Sequence, residues 1–152
     1  MTYPTKYYIT SGKGTSKHQL VAFDNALLDA GISNYNLLKV SSILPESCTQ
    51  QDNVDVRKGS ALLTAFATVS SDHPSERIAT AVAVGIPKDR NQIGVIMECK
   101  GITSAETEQR AREMVTEAME NHGIELEEIK SSSIEGVVEE GFLSLVSAIA
   151  MW

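Results

Sequence analysis

The chain has 152 residues, 42% of them hydrophobic and 22% charged, a composition that fits one globular domain, residues 1–152, with a real core. Its formal charge of −7 argues against nucleic acid as a partner, because phosphate binding needs clustered Lys and Arg. No apolar run is long enough to cross a membrane, the first residues lack a signal-peptide pattern, and two cysteines, Cys48 and Cys99, suit a reducing cytoplasm rather than a disulfide framework.

Taken in chain order, residues 7–10 (YYIT) predict a short strand, followed by a polar glycine-rich loop from Ser11 to Lys17. The Gly-Lys-Gly-Thr in that loop is no phosphate cradle. That pattern needs a glycine five residues before the Gly-Lys pair, where Tyr7 stands. Leu20, Phe23, Leu27 and Ala30 recur at helical spacing, and Gly31 stops the helix. Residues 36–45, NLLKVSSILP, predict a strand ending at Pro45, which cannot donate to a ladder.

Residues 46–58 are polar and predict a loop. Two β-rich runs follow, 61–70 and 78–86, joined by the turn-forming SDHPSE, and then a strand over 93–99. Thr103 and Glu106 have the spacing of a capping box. The helix they open carries Ala111, Met114, Val115, Ala118 and Met119 on one stripe and closes at Gly123. Segments 124–138 and 142–152 supply the last β structure. Several β runs with two helices, not in strict alternation, predict an α+β or layered sandwich fold.

Few residues offer chemistry by spacing alone. His18, His73 and His122 are scattered, with no metal-binding spacing, and no Gly-x-Ser-x-Gly elbow is present. Glu98 follows Val95, Ile96 and Met97 in a run that should be mostly buried. Alternation either turns it to solvent or leaves it in an apolar site with a raised pKa, able to act as an acid. Asp24 stands between apolar neighbours in the first helix, on a solvated face or against a cationic ligand.

Ser41 and Ser42 interrupt an otherwise apolar strand. A serine hydroxyl can attack the preceding carbonyl, turning the amide into an ester. β-Elimination then cuts the chain, and the new terminus loses ammonia to become a pyruvoyl group. Only a residue with a leaving group on Cβ can do this, so Ser42 qualifies, although Ser-Ser pairs are common.

Together these segments resemble the pyruvoyl-dependent arginine decarboxylase family, from the first helix to Trp152. The most specific block is AFDNALLDAGISNYNLLKVSSILP, supported by SDHPSERIATAVAVGIPKD and GVIMECKG in the same order. The resemblance implies self-cleavage between Ser41 and Ser42 into a β chain 1–41 and an α chain 42–152, with Ser42 becoming the pyruvoyl cofactor and no metal or dissociable cofactor. It implies that Asn36 assists processing and that Glu98 is the proton donor. Asp24 is implied to pair with the substrate guanidinium, and Leu20 to line that pocket.

The implied reaction converts L-arginine to agmatine and CO2 through a Schiff base, feeding polyamine synthesis or consuming protons in acid. The implied fold is an αββα sandwich, assembled as trimers or pairs of trimers with sites between subunits. Ser33 and Tyr35 stand where the family commonly has glycine and a small aliphatic residue, which leaves pocket size and substrate choice open. The other readings are an unprocessed structural or regulatory relative, and a decarboxylase of another amino acid.

Overall fold

The computed structural model describes residues 3–152. It contains nine strands and two helices among the described residues: β1 (Lys6–Ser16), α1 (Gln19–Ala30), β2 (Asn36–Lys39), β3 (Ile43–Leu44), β4 (Thr49–Gln50), β5 (Ala61–Ser71), β6 (Arg77–Pro87), β7 (Gly94–Gly101), α2 (Ser104–Asn121), β8 (Leu126–Val137) and β9 (Phe142–Met151). The strands form a five-stranded sheet, β2-β5-β9-β1-β4, and a four-stranded sheet, β3-β7-β6-β8. Pairing is antiparallel except for β1 with β4 and β2 with β5.

The layers follow from which residues alternate inward. Ile9 and Tyr7 of β1, Ala65 of β5, and Ile149 and Met151 of β9 face Val82, Val84, Ile86 and Ile96 of the other sheet, forming the core between the sheets. Each such side chain contributes on the order of 1.5–3 kcal/mol by leaving water. On the outer face of the five-stranded sheet, Ala26, Leu27 and Ala30 of α1 pack on Val146, Ala148 and Ala150. On the opposite outer face, Ala111, Val115 and Met119 of α2 cover Ala81, Ala83 and Val95. The order of layers is therefore α, β, β, α, in the α+β class expected.

Three local readings change. β1 runs to Ser16, so the glycine-rich stretch is strand rather than loop. Gly12 and Gly14 are there because α1 crosses so close that a Cβ on either would run into the Ala26 backbone. Within the polar stretch 46–58, Thr49 and Gln50 form a short strand against β1. The segment 36–45 is two strands instead of one. β2 lies in the five-stranded sheet and β3 in the other, so the chain changes sheets at Val40-Ser41-Ser42.

The helix boundaries match the sequence signals. Gly31 is left-handed (φ 80°) at the end of α1, and Thr103 accepts a hydrogen bond from the Glu106 amide at 3.3 Å to open α2. Serines inside the apolar strands are satisfied in a chain of hydroxyls between the sheets, Ser132–Ser11–Ser147–Thr80, at 2.7–2.9 Å. No helix among the described residues is long and apolar enough to cross a membrane.

Candidate active site

The crossing from β2 to β3 places the serine pair. The Val40 amide donates to Thr64 O at 3.1 Å, continuing the β2–β5 ladder, while the Ser42 carbonyl accepts from the Ile96 amide at 2.8 Å, extending β3 along β7. Val40 and Ser42 are thus held on different sheets, two peptide steps and about 7 Å apart at full stretch. Ser41, between them, is exposed, and Ser42 is half-buried. Neither has left-handed backbone; the non-glycine residues that do are Ser47 and Ser75. The Ser41–Ser42 bond is thus tethered on both sides, to β5 through Val40 and to β7 through Ser42.

Glu98 lies on the same strand as that tether. It pairs with Val82, as Ile96 pairs with Val84, so its side chain points into the layer between the sheets with Ile96. It sits about 7 Å along β7 from the residue that holds Ser42. Burial pushes the Glu98 carboxyl above the usual glutamate range, and the charge of Lys39 pulls in the opposite direction. Glu98 is thus half-buried between the sheets rather than turned wholly to solvent.

Lys39 stands two residues before the serine pair, with no spacing signal of its own in the sequence. Its ammonium donates to Phe66 O at 3.0 Å and sits 4.7 Å above the Phe66 ring. It makes no ion pair among the described residues.

The remaining candidates lie elsewhere in the chain. Asp24 is exposed on α1, beyond the five-stranded sheet from Glu98. It shares a helix face with Val21 and Leu28, spaced i, i+3, i+7, which are 47% and 57% exposed. Leu20, 79% exposed, lines a groove of about 340 Å³ with Gln19, Phe23, Thr68 and Ser70. A carboxylate in the middle of an exposed apolar stripe is an unfinished arrangement.

Ser33 and Tyr35 go separate ways. The Ser33 hydroxyl donates to Asp24 Oδ1 at 2.9 Å. The Tyr35 ring packs under α1, and its hydroxyl donates to Val54 O and Val56 O at 3.4 and 3.2 Å, tying down the 52–58 segment. Asn36 begins β2, about 13 Å from Val40 at strand rise. Its side-chain Nδ2 donates to Gly59 O at 3.0 Å, away from the serine pair of its own chain.

One chain thus brings together Ser41, Ser42, Glu98 and Lys39, and separately Asp24, Ser33 and Leu20. The model of the pyruvoyl-dependent arginine decarboxylase family matches residues 6–152. The chain belongs to that family. It is 40% identical over 150 residues to the pyruvoyl-dependent arginine decarboxylase of Methanococcus aeolicus, covering 98% of this chain and 90% of the relative. It is 37% identical to that of Methanocaldococcus jannaschii, with the same coverage. Identity to that of Thermococcus kodakarensis is 37%, covering 99% of this chain and 97% of the relative.

Among solved structures, a pyruvoyl-dependent histidine decarboxylase superposes with a TM-score of 0.51 at 16% identity, over 64% of this chain and 52% of that one. That likeness concerns the fold. The family's prosthetic group is a pyruvoyl group made from a serine of the chain itself, and its members are carboxy-lyases. In this chain Ser42 has its carbonyl fixed on Ile96, and Ser41 on its amino side is exposed.

Proposed function

We propose that this chain cuts itself between Ser41 and Ser42, giving chains 1–41 and 42–152, and with residue 42 converted decarboxylates L-arginine to agmatine and CO2. The observation that carries this reading is the tethered sheet crossing with a half-buried carboxyl group two residues along the strand that holds it.

In the cut, the Ser42 hydroxyl attacks the Ser41 carbonyl carbon, and the C–N bond breaks as the ester C–O bond forms. Loss of the Ser42 Cα proton expels Ser41 as a carboxylate. The resulting enamine takes up water and releases ammonia. The keto group so made supplies an electron sink for the pair left when CO2 departs. Glu98, whose carboxyl pKa is raised by its partial burial, delivers a proton to the substrate α-carbon. Asp24 binds the guanidinium by charge-assisted hydrogen bonds, fixing which end of arginine meets residue 42.

Asp24, Leu20 and Asn36 come in this reading from a neighbouring copy, in a trimer or pair of trimers. A sheet lies between Asp24 and Glu98 of one chain, and the Val21–Asp24–Leu28 stripe is the surface a neighbour covers. Asn36 of that neighbour serves the oxyanion during processing. Both free cysteines fit a cytoplasmic setting, with agmatine entering polyamine synthesis.

Replacing Ser42 with Ala tests the reading. Denaturing electrophoresis should show one intact chain, and arginine should release no CO2. An S42A protein that is still cut, or still active, refutes it.

A further inference from the structure

We infer that Ser33 is a positioning residue for the cationic end of the substrate, its hydroxyl fixing the Asp24 carboxylate in one orientation. The inference rests on the proposed arginine site and adds to it the residue that shapes its acceptor.

The route of the chain makes the contact possible. At the end of α1, left-handed Gly31 reverses the backbone, and the Gly31 and Ile32 amides close on Leu28 O and Leu27 O. Ile32 is fully buried beneath α1 and pins the return. The next residue, Ser33, then reaches back to donate to Asp24 Oδ1 at 2.9 Å. Asp24 has no cationic partner among the described residues, where this hydroxyl is the one side-chain group hydrogen-bonded to it.

An exposed aspartate rotates freely about its last torsion, where the rotamer well is broad. A guanidinium is a planar fork and bonds both carboxylate oxygens only when the carboxylate lies in its plane. Each carboxylate oxygen accepts two hydrogen bonds. Ser33 occupies one site on Oδ1, which stops the rotation yet leaves a site on Oδ1 and both on Oδ2. Glycine at this position would leave the carboxylate to find its plane only on binding, at a cost in entropy. Tyr35, the other unusual residue here, plays no such part, because its hydroxyl is taken by Val54 and Val56.

The test uses the cut, assembled enzyme in wild-type, S33A and S33T forms, with agmatine binding by titration calorimetry and arginine turnover. S33A should weaken agmatine binding and raise the arginine KM about fivefold, with kcat changed less than about twofold, as for loss of one solvent-accessible bond to a charge. S33T keeps the hydroxyl and should return both values to within about twofold of wild type. In D24N, adding S33A should change the agmatine Kd by less than about twofold, since the hydroxyl acts through the carboxylate.

Unchanged agmatine binding in S33A, or an equal loss in the D24N background, overturns the inference. Wild-type protein that is cut yet releases no CO2 from arginine overturns the arginine reading instead, a separate and recognisable result.

Discussion

The two helices cover opposite faces of one sandwich, yet they are finished differently. Thr103 caps α2, and Glu135 accepts from the amide and hydroxyl of Ser104 in its first turn. Glu108 then bonds Ser131 and Ser133, and Arg112 bonds Ile129 O and Ser131, on the neighbouring β8. Apart from Ala105, its exposed residues are polar. α1 begins at His18 with no side-chain cap and no acid in its first turn, and presents Leu20, Val21 and Leu28 around Asp24. A helix that serves only its own domain closes with its own polar groups. The open face of α1 is what the proposed intersubunit site requires, with a second surface and the ligand arriving there.

The contrast can be broken most severely by charging the open helix. A V21D/L28D double substitution should dissociate the proposed assembly, because carboxylates cannot be buried unpaired against an apolar partner. Arginine decarboxylation should fall by on the order of a hundredfold, with far-UV dichroism unchanged. Sedimentation equilibrium checks the first point and CO2 release the second. The control on the closed helix, Glu113→Lys, should leave both as they are. An assembled, active V21D/L28D enzyme would remove α1 from the interface.

The proposed substrate end, on α1, and the proposed chemical end, on β7, should respond differently to substitution. Glu98→Gln should leave the backbone cut in place while slowing decarboxylation roughly 10²–10⁴-fold, the range for losing a positioned general acid. Stability should respond to pH with a definite sign. Burial raises the Glu98 pKa in the folded protein, so the folded state holds its proton where the unfolded chain has released it. This contribution is present below the ordinary glutamate range and is lost as pH rises through the raised value. Urea midpoints of wild type should therefore fall relative to Glu98→Gln as pH climbs out of that range. Parallel curves would place Glu98 in water.

The smallest effect belongs to the closed helix. Thr103→Ala removes one cap and should cost about 1 kcal/mol, lowering Tm by about 2–4 °C without altering turnover. A calorimetric scan of the assembled protein measures it.

The same contrast explains what the sequence could reveal. α2 was legible throughout, since a capping box, a 3.6-residue stripe and a closing glycine all act locally. The start of β1 misled because glycines serve turns and close packing alike, and only the crossing of α1 tells which. Residues 36–45 read as one strand because alternation does not register a change of sheet. Asp24 and Glu98 were ambiguous singly, and only the family blocks suggested roles for them. The Ser33–Asp24 bond spans a helix end and a reversal, so no short-range pattern signals it. Lys39 carried only its position beside the serine pair as a hint.

The central claim is that the chain makes its own ketone at residue 42. A denaturing mass spectrum of the freshly purified assembly, taken before and after hydroxylamine, tests it most directly. The account predicts two chains, with 42–152 lighter than its encoded mass by one ammonia and gaining a single oxime. One full-length chain, correctly assembled and inert to the reagent, would contradict it.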